Sequence, residues 1–551
     1  MTFRNTVLRG LFYLTFVSLQ LSASWSSPPT QISQDMGSFP MVKKDTLGNA
    51  IAVWWSTVAN KIQSARLPVN AVAWTAPVNI AATSGIIFES SRISMAISNA
   101  GDAVVVWVDD NQVMSAVSYS AATDTWSPTT NLPAATVASL PVVAFSGNGD
   151  AIAAWLQTAG STVEILSARL ASNSTSWDNS QVIYSTFYEP TLIEVIGDEI
   201  LISPGSGIEA LSIATGADKA VIAWSDLSDV SLTVKGATFS GGASGSWSLT
   251  SPLSNAGGFF IFLPNRIGIA VGSTEKVLAL WSFLGDSSLI PQGSSQQLGG
   301  PSWLSTTFPD NPSGVNTLTP QVAIDAAGNA YALLFQEQTA IPPFQSPLYS
   351  GFFTVLTLPA AGQVWIPLFS SPLLSNTSSI PQLAVNSSGQ GVVAYEDDSV
   401  IKVVEFTNNS SSFTPITLSL LGTNQGVQIA VDSLGNGVAV WNELEGGQVF
   451  ATAGTQLFPP LPPASFSGEV VENRFLLQTD RIHRLQWQPS PDPSVTNYEL
   501  YRNGKKVAVI PTKGPYWYSD HDRSSRVKDV YRLYAVNSAG SQSTFLQIAL
   551  Q

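Results

Sequence analysis

One phrase constrains this chain more than anything else in it, because it recurs eight times: an apolar pair, a short turn containing Gly, then a run of Ala and Val ending in an aromatic. Two copies show it plainly. They are Val322-Ala-Ile-Asp325-Ala-Ala-Gly328-Asn329-Ala-Tyr-Ala-Leu-Leu-Phe335 and Ile429-Ala-Val-Asp432-Ser-Leu-Gly435-Asn436-Gly-Val-Ala-Val-Trp441, and the other copies end at Trp54, Trp107, Trp155, Trp224, Trp281 and Tyr395. A fixed phrase with loops of varying length between copies is the signature of a repeat architecture, in which each unit buries its faces only against its neighbours. Each copy reads as a β-hairpin. Gly supplies φ > 0 in the turn, and the leading Asp or Asn bonds turn amides. A calcium site is a poor fit, since calcium takes six to eight oxygens and each turn offers one carboxylate.

The second strand of each hairpin, such as Ala103-Val-Val-Val-Trp107, is continuously apolar, so both of its faces are buried. That suits a sheet sandwiched between two others. A third strand follows, as in Val163-Glu-Ile-Leu-Ser-Ala-Arg-Leu170, and then a fourth marked by an aromatic: Trp74, Trp126, Trp177, Trp247, Trp303, Trp365 and Phe413. The last repeat lacks a fourth strand, but Trp25-Ser26-Ser27-Pro28 has the form of Trp126-Ser127-Pro128. An N-terminal strand that completes the last unit closes a ring and removes exposed edges. The fold class expected is all-β: an eight-bladed β-propeller over residues 25–456. It resembles secreted bacterial β-propeller repeat proteins, without matching a named repeat closely.

Pro-rich residues 457–463 read as a linker. Beyond it, Leu485-Gln-Trp487-Gln-Pro489, Tyr498-Glu-Leu-Tyr-Arg-Asn503-Gly504 and Tyr531-Arg-Leu-Tyr-Ala-Val-Asn537-Ser-Ala-Gly540 carry a resemblance to fibronectin type III domains over residues 464–551. The resemblance implies a β-sandwich with Trp487 plugging the core, Asn503-Gly504 in a hairpin turn and Tyr531 as a corner tyrosine. It implies a spacer and no activity of its own.

Composition bears on compartment and partner. Arg4 and Arg9 precede an apolar run from Leu11 to Leu21 that ends in Ser22-Ala23-Ser24, the pattern of a cleaved signal peptide over residues 1–24. The run is too short to span a bilayer, so the mature chain is expected to be secreted or held at the cell surface without a transmembrane segment. With no Cys there are no disulfides or thiolate nucleophiles. A net charge of −14 speaks against nucleic acid.

Catalytic hardware is sparse. The only histidines are His483 and His521, outside the repeats and at no metal-ligand spacing, which leaves the repeat region without a Ser-His-Asp relay or a histidine metal site. No phosphate-cradling glycine loop occurs. We therefore expect no cofactor, no metal and no enzyme: a monomeric binding or scaffold protein that recognises a protein or glycan. The alternative reading is a polysaccharide-active hydrolase or lyase using two carboxylates, with Asp109 and Asp110, or Glu396 and Asp397, as candidate pairs. Loops after the second strands share one face in a propeller, and here they are acidic. Asp109, Asp110, Asp226, Asp229, Glu337, Glu396, Asp397, Asp398, Glu443 and Glu445 are thus the candidate binding residues, expected as a negative arc poor in basic residues.

Overall fold

The computed structural model describes residues 24–551, apart from residues 84–86, 88–92, 133–136, 204–206, 241–244, 255–266, 285–287, 312–314, 338–348, 408–412, 420–423, 444–446, 538–541 and a few shorter gaps that include 229–230. The signal-peptide expectation therefore lies outside the described residues. So do Asp229 and Glu445. Among the described residues there is no helix, and the chain divides into Trp25–Phe458 and Pro459–Gln551.

Trp25–Phe458 is built of antiparallel sheets of four or five strands, eight of them among the described residues, numbered here in chain order of their first strands. The third shows the pattern: Ala138–Phe145, Ala151–Ala159, Thr162–Leu170 and Gln181–Phe187, paired in sequence. The second strand lies inside its sheet and between two neighbouring sheets, which is why Ala and Val run through it without alternation. At one station on it stand seven aromatics, Trp54, Trp107, Trp155, Trp224, Trp281, Tyr395 and Trp441, with Leu334 in their place in the sixth sheet and Phe335 one residue further, all buried. The first strand of each sheet touches the first strands of the sheets before and after it, and the eighth touches the first. The first strands thus form a closed hub, in the manner of a propeller.

The turns of the repeated hairpin are built as the sequence indicates. Asp432 Oδ1 accepts from the amides of Leu434 and Asn436 at 2.9 and 2.8 Å, and Gly435 takes φ 77°. Closure is equally concrete. Ser24–Trp25 and Thr30–Gln31 pair with Val449–Thr455, the third strand of the eighth sheet.

Two details depart from the sequence reading. Leu457 and Phe458 belong to the core of the eighth sheet and not to a linker, because the closing strand leaves an apolar flank there that they cover. A two-stranded hairpin, Leu192–Ile196 with Glu199–Ser203, stands between the third and fourth sheets, where no repeat phrase announces it.

Pro459–Gln551 has a three-stranded sheet (Ser465–Phe475, Gln478–Gln488, Trp517–Asp520) and a four-stranded one, Lys505–Pro511, Val495–Arg502, Asp529–Asn537 and Leu546–Leu550 in that order. Trp487 is buried with Leu485, Tyr498, Leu500 and Leu533. Asn503 and Gly504 take φ 48° and 81°, as a two-residue hairpin turn requires. Tyr531 differs from a corner tyrosine in its partners. Its hydroxyl donates to Asp520 Oδ2 at 2.6 Å and lies 3.0 Å from His483 Nδ1, so it serves a side-chain network.

Candidate functional site

The aromatic station fixes where the acidic candidates lie. The second strands continue one to four residues past their aromatics, and in three of them this brings an acid that the sequence suggests is in a loop into the sheet itself: Asp226, Glu337 and Glu396 are buried there. Asp109 is buried as well. Asp109 sits just beyond its strand and caps a turn, its Oδ1 accepting from Asn111 N at 3.0 Å. Glu396 Oε2 accepts from Ser379 Oγ at 3.0 Å. Glu443 is half-buried at the end of its strand, while Asp110 and Asp398 are exposed. Asp398 turns the hairpin at φ 52°.

Among the described candidates, two of the acids face lysines. Lys235 stands opposite Trp224 across the second and third strands of the fourth sheet, and Lys402 stands opposite Tyr395 in the seventh. Each reaches diagonally along the same face to the acid two residues past the aromatic: Lys235 Nζ to Asp226 Oδ2 at 2.6 Å, Lys402 Nζ to Asp397 Oδ2 at 2.7 Å. Neither lysine is visible as a partner until the strand register is known.

The Asp226 pair has a third member. Tyr184, on the outermost strand of the third sheet, donates its hydroxyl to Asp226 Oδ2 at 2.5 Å, and Lys235 Nζ donates to the same hydroxyl at 2.7 Å. The ammonium lies 4.8 Å from the Tyr184 ring centroid, and that ring packs 5.1 Å from Trp224. Burial works against the Lys235 ammonium, but the bonds to Asp226 and Tyr184 outweigh it and hold its pKa above the ordinary lysine value. Asp226 is the anchor. Its side chain is 2% exposed, while that of Lys235 is 33% exposed and opens the cluster to water. The second carboxylate oxygen, Oδ1, is buried with no hydrogen-bond partner. Such an orphan costs on the order of 1–3 kcal/mol. The arrangement can hold and pass a proton: a phenol bonded to a carboxylate, with a cation against the oxygen from which the proton leaves.

No known protein family matches the sequence, and no curated protein matches it. Solved structures do. A polysaccharide lyase matches with 8% identity over 79% of this chain and 92% of its own, at a TM-score of 0.44. A fungal alcohol oxidase in complex with copper matches with 12% identity over 96% and 99%, at 0.40. An α-L-arabinofuranosidase from Fusarium graminearum matches with 11% identity over 57% and 91%, at 0.34. At these identities the likeness speaks of the all-β, propeller-like fold alone. These neighbours are nonetheless named as enzymes, and the expectation that this chain is no enzyme is corrected and withdrawn on that finding.

Proposed function

We propose that this chain is an exported protein that acts on a polysaccharide, with Trp25–Phe458 an eight-bladed β-propeller and Pro459–Gln551 a fibronectin type III-like appendage. The observation that carries the reading is the contact of Tyr184, Asp226 and Lys235 at one carboxylate oxygen. Cleavage of a glycosidic bond by hydrolysis or by elimination needs a group that moves a proton to or from the sugar and a charge that stabilises the change. Tyr184 is placed for the first role and Lys235 for the second, while buried Asp226 fixes both. The acids of the loops then act as structural and turn-capping groups, with Asp110 and Asp398 facing water.

The test is a cleavage screen of the purified chain against neutral and acidic polysaccharides. It reads new reducing ends and, for elimination, the ultraviolet absorbance of an unsaturated sugar product. Tyr184→Phe keeps the ring packing on Trp224 and removes only the hydroxyl. It is expected to lower any activity by roughly 10²–10⁴-fold at an unchanged melting temperature. Full activity in that variant, or no cleavage of any polymer by the wild-type chain, sinks the proposal.

A further inference from the structure

The turns of the repeated hairpin encircle one end of the hub, and their leading residues divide the ring in two. In the first, sixth, seventh and eighth sheets that residue is Asp45, Asp325, Asn386 and Asp432, all buried, and in the second to fifth it is Ser98, Ser146, Gly216 and Gly272. The longer heads fill the seam to the following turn. Asp45 Oδ2 and Asp432 Oδ2 stand 2.8 and 3.1 Å from where a Cβ would sit on Gly101 and Gly48. Ser and Gly fill less. Against the four turns that they lead lies a cavity of about 420 Å³, within the range of roughly 300–1,000 Å³ that small ligands occupy.

Ile97, Phe145 and Val271 give the cavity apolar surface, and Asn99, Thr215 and Glu275 give it polar groups. Its wall is preformed. Thr215 Oγ1 donates to the carbonyl of Phe145 at 2.5 Å, and Gly147 N donates to that of Gly216 at 2.8 Å, tying the turns of the third and fourth sheets together. Glu275 is the unusual member. The turn residue whose amide donates to the leading carbonyl is Gly48, Gly101, Gly149, Gly328, Gly389 and Gly435 in six sheets, at φ 74° to 99°, and Glu275 at φ 60° in the fifth. Glycine adopts this conformation freely, whereas a β-carbon opposes it. Glu275 Oε2 meets Lys219 Nζ at 2.9 Å, but the two side chains are 29% and 30% exposed, and an ion pair in such contact with water returns little stability. The hairpin therefore gains nothing from a carboxylate here that glycine does not give it elsewhere.

Glu275 is the one charged residue among those lining the cavity, and Lys219 neutralises it, so no net charge draws an anion or a cation there. A ligand that is neutral, offers hydroxyls to a carboxylate and lays a C–H face on apolar side chains is a saccharide. We infer that this cavity binds a neutral mono- or disaccharide, with Glu275 accepting from sugar hydroxyls and Lys219 holding that carboxylate in place. The site is separate from the Tyr184 cluster. On the second strand of the fourth sheet, Ala220 adjoins the turn and Asp226 lies six residues further along, about 20 Å away at the usual strand rise. The inference thus goes beyond the proposed cleavage and does not rest on it.

The experiment titrates the full chain with glucose, galactose, mannose, xylose, cellobiose and maltose by isothermal calorimetry and saturation-transfer NMR, with glucuronate and glucosamine as charged counterparts. At least one neutral sugar is expected to bind saturably, and neither charged counterpart to bind more tightly than it. Glu275→Gly installs the residue that six other sheets carry. It is expected to melt at the wild-type temperature or above, because it relieves the backbone, and to bind that sugar roughly tenfold to hundredfold more weakly. Asn99→Ala, at an exposed turn position, is expected to weaken binding as well. Any polysaccharide cleavage is expected to be unchanged in Glu275→Gly and sugar binding to be unchanged in Tyr184→Phe, which keeps the two sites distinguishable. No saturable binding of any neutral sugar, tighter binding of a charged one, wild-type affinity in Glu275→Gly, or a melting temperature lowered by that change overturns the site.

Discussion

At the scale of single residues, the most tightly constrained titratable group is His483. It is fully buried, and the direction of every hydrogen bond around it follows from its neighbours. Arg502 donates twice to Asp520, at 2.8 and 2.6 Å, and Tyr531 donates its only proton to the same carboxylate. Nδ1 of His483 must then carry the hydrogen and donate to the tyrosine oxygen, which leaves Nε2 bare and unpartnered in the core. Desolvation lowers the pKa of His483, and it prevails over the attraction of Asp529 and Asp520. The folded state therefore binds fewer protons than the unfolded one. Stability from this group is fully present above the unfolded histidine value of about 6.5 and is lost as pH falls below it. Thermal unfolding between about pH 8 and pH 5 is expected to show a loss for Pro459–Gln551 that flattens in His483→Gln. An equally steep loss in that variant places the titration elsewhere.

At the scale of strands and turns, much was legible in the sequence. A hairpin with two apolar runs, a Gly turn and a terminal aromatic can be read from spacing alone, and so can the displaced strand at Trp25, because each is a local pattern with period and punctuation. What was not legible depends on register and on which sheets touch. The burial of Glu396 follows from its strand running past Tyr395, and the pairing of Lys235 with Asp226 follows from a diagonal across two strands. Tyr184 comes from a different sheet altogether. The closing strand shows the element-level consequence. Trp25 packs its ring on Gly437 and Gly454, where a Cβ would come within 2.7 and 2.9 Å of it, and its Nε1 donates to Glu405 Oε1 at 2.9 Å on the preceding sheet. One side chain thus fastens the last sheet to its neighbour and the N-terminal strand to the last sheet. Trp25→Ala is expected to cost about 3–5 kcal/mol in chemical denaturation, with unfolding of the ring becoming less cooperative. A loss below about 1 kcal/mol is incompatible with closure through this strand.

At the scale of the whole molecule, charge is divided unevenly: 11 of the 24 Lys and Arg fall after residue 456. Among the described residues of the ring, Lys44, Arg66, Arg169, Lys219, Lys235 and Lys402 are each matched by an acid, and the surplus negative charge keeps a weakly charged surface soluble. In Pro459–Gln551 the cations instead form a dense network with Asp520, Asp529, Glu499 and Glu472. Two different ways of managing charge, and two separate apolar cores, point to two independent folding units. Where the second begins is set by hydrogen bonds more than by composition. Asp492 Oδ2 accepts from the amide of Leu461 at 2.9 Å, Ser490 Oγ donates to the carbonyl of Leu461 at 2.8 Å, and Ala464 N reaches Gln488 O at 3.2 Å. Half of the Pro-rich stretch therefore belongs to the second unit. A fragment of residues 459–551 is expected to fold alone, with a dispersed amide NMR spectrum. A fragment that starts at 464 leaves the buried Asp492 carboxylate short of a donor and is expected to be less stable by about 1–3 kcal/mol. Equal stability of the two fragments removes Leu461 from the fold of this unit, and a collapsed spectrum for the longer one refutes its independence.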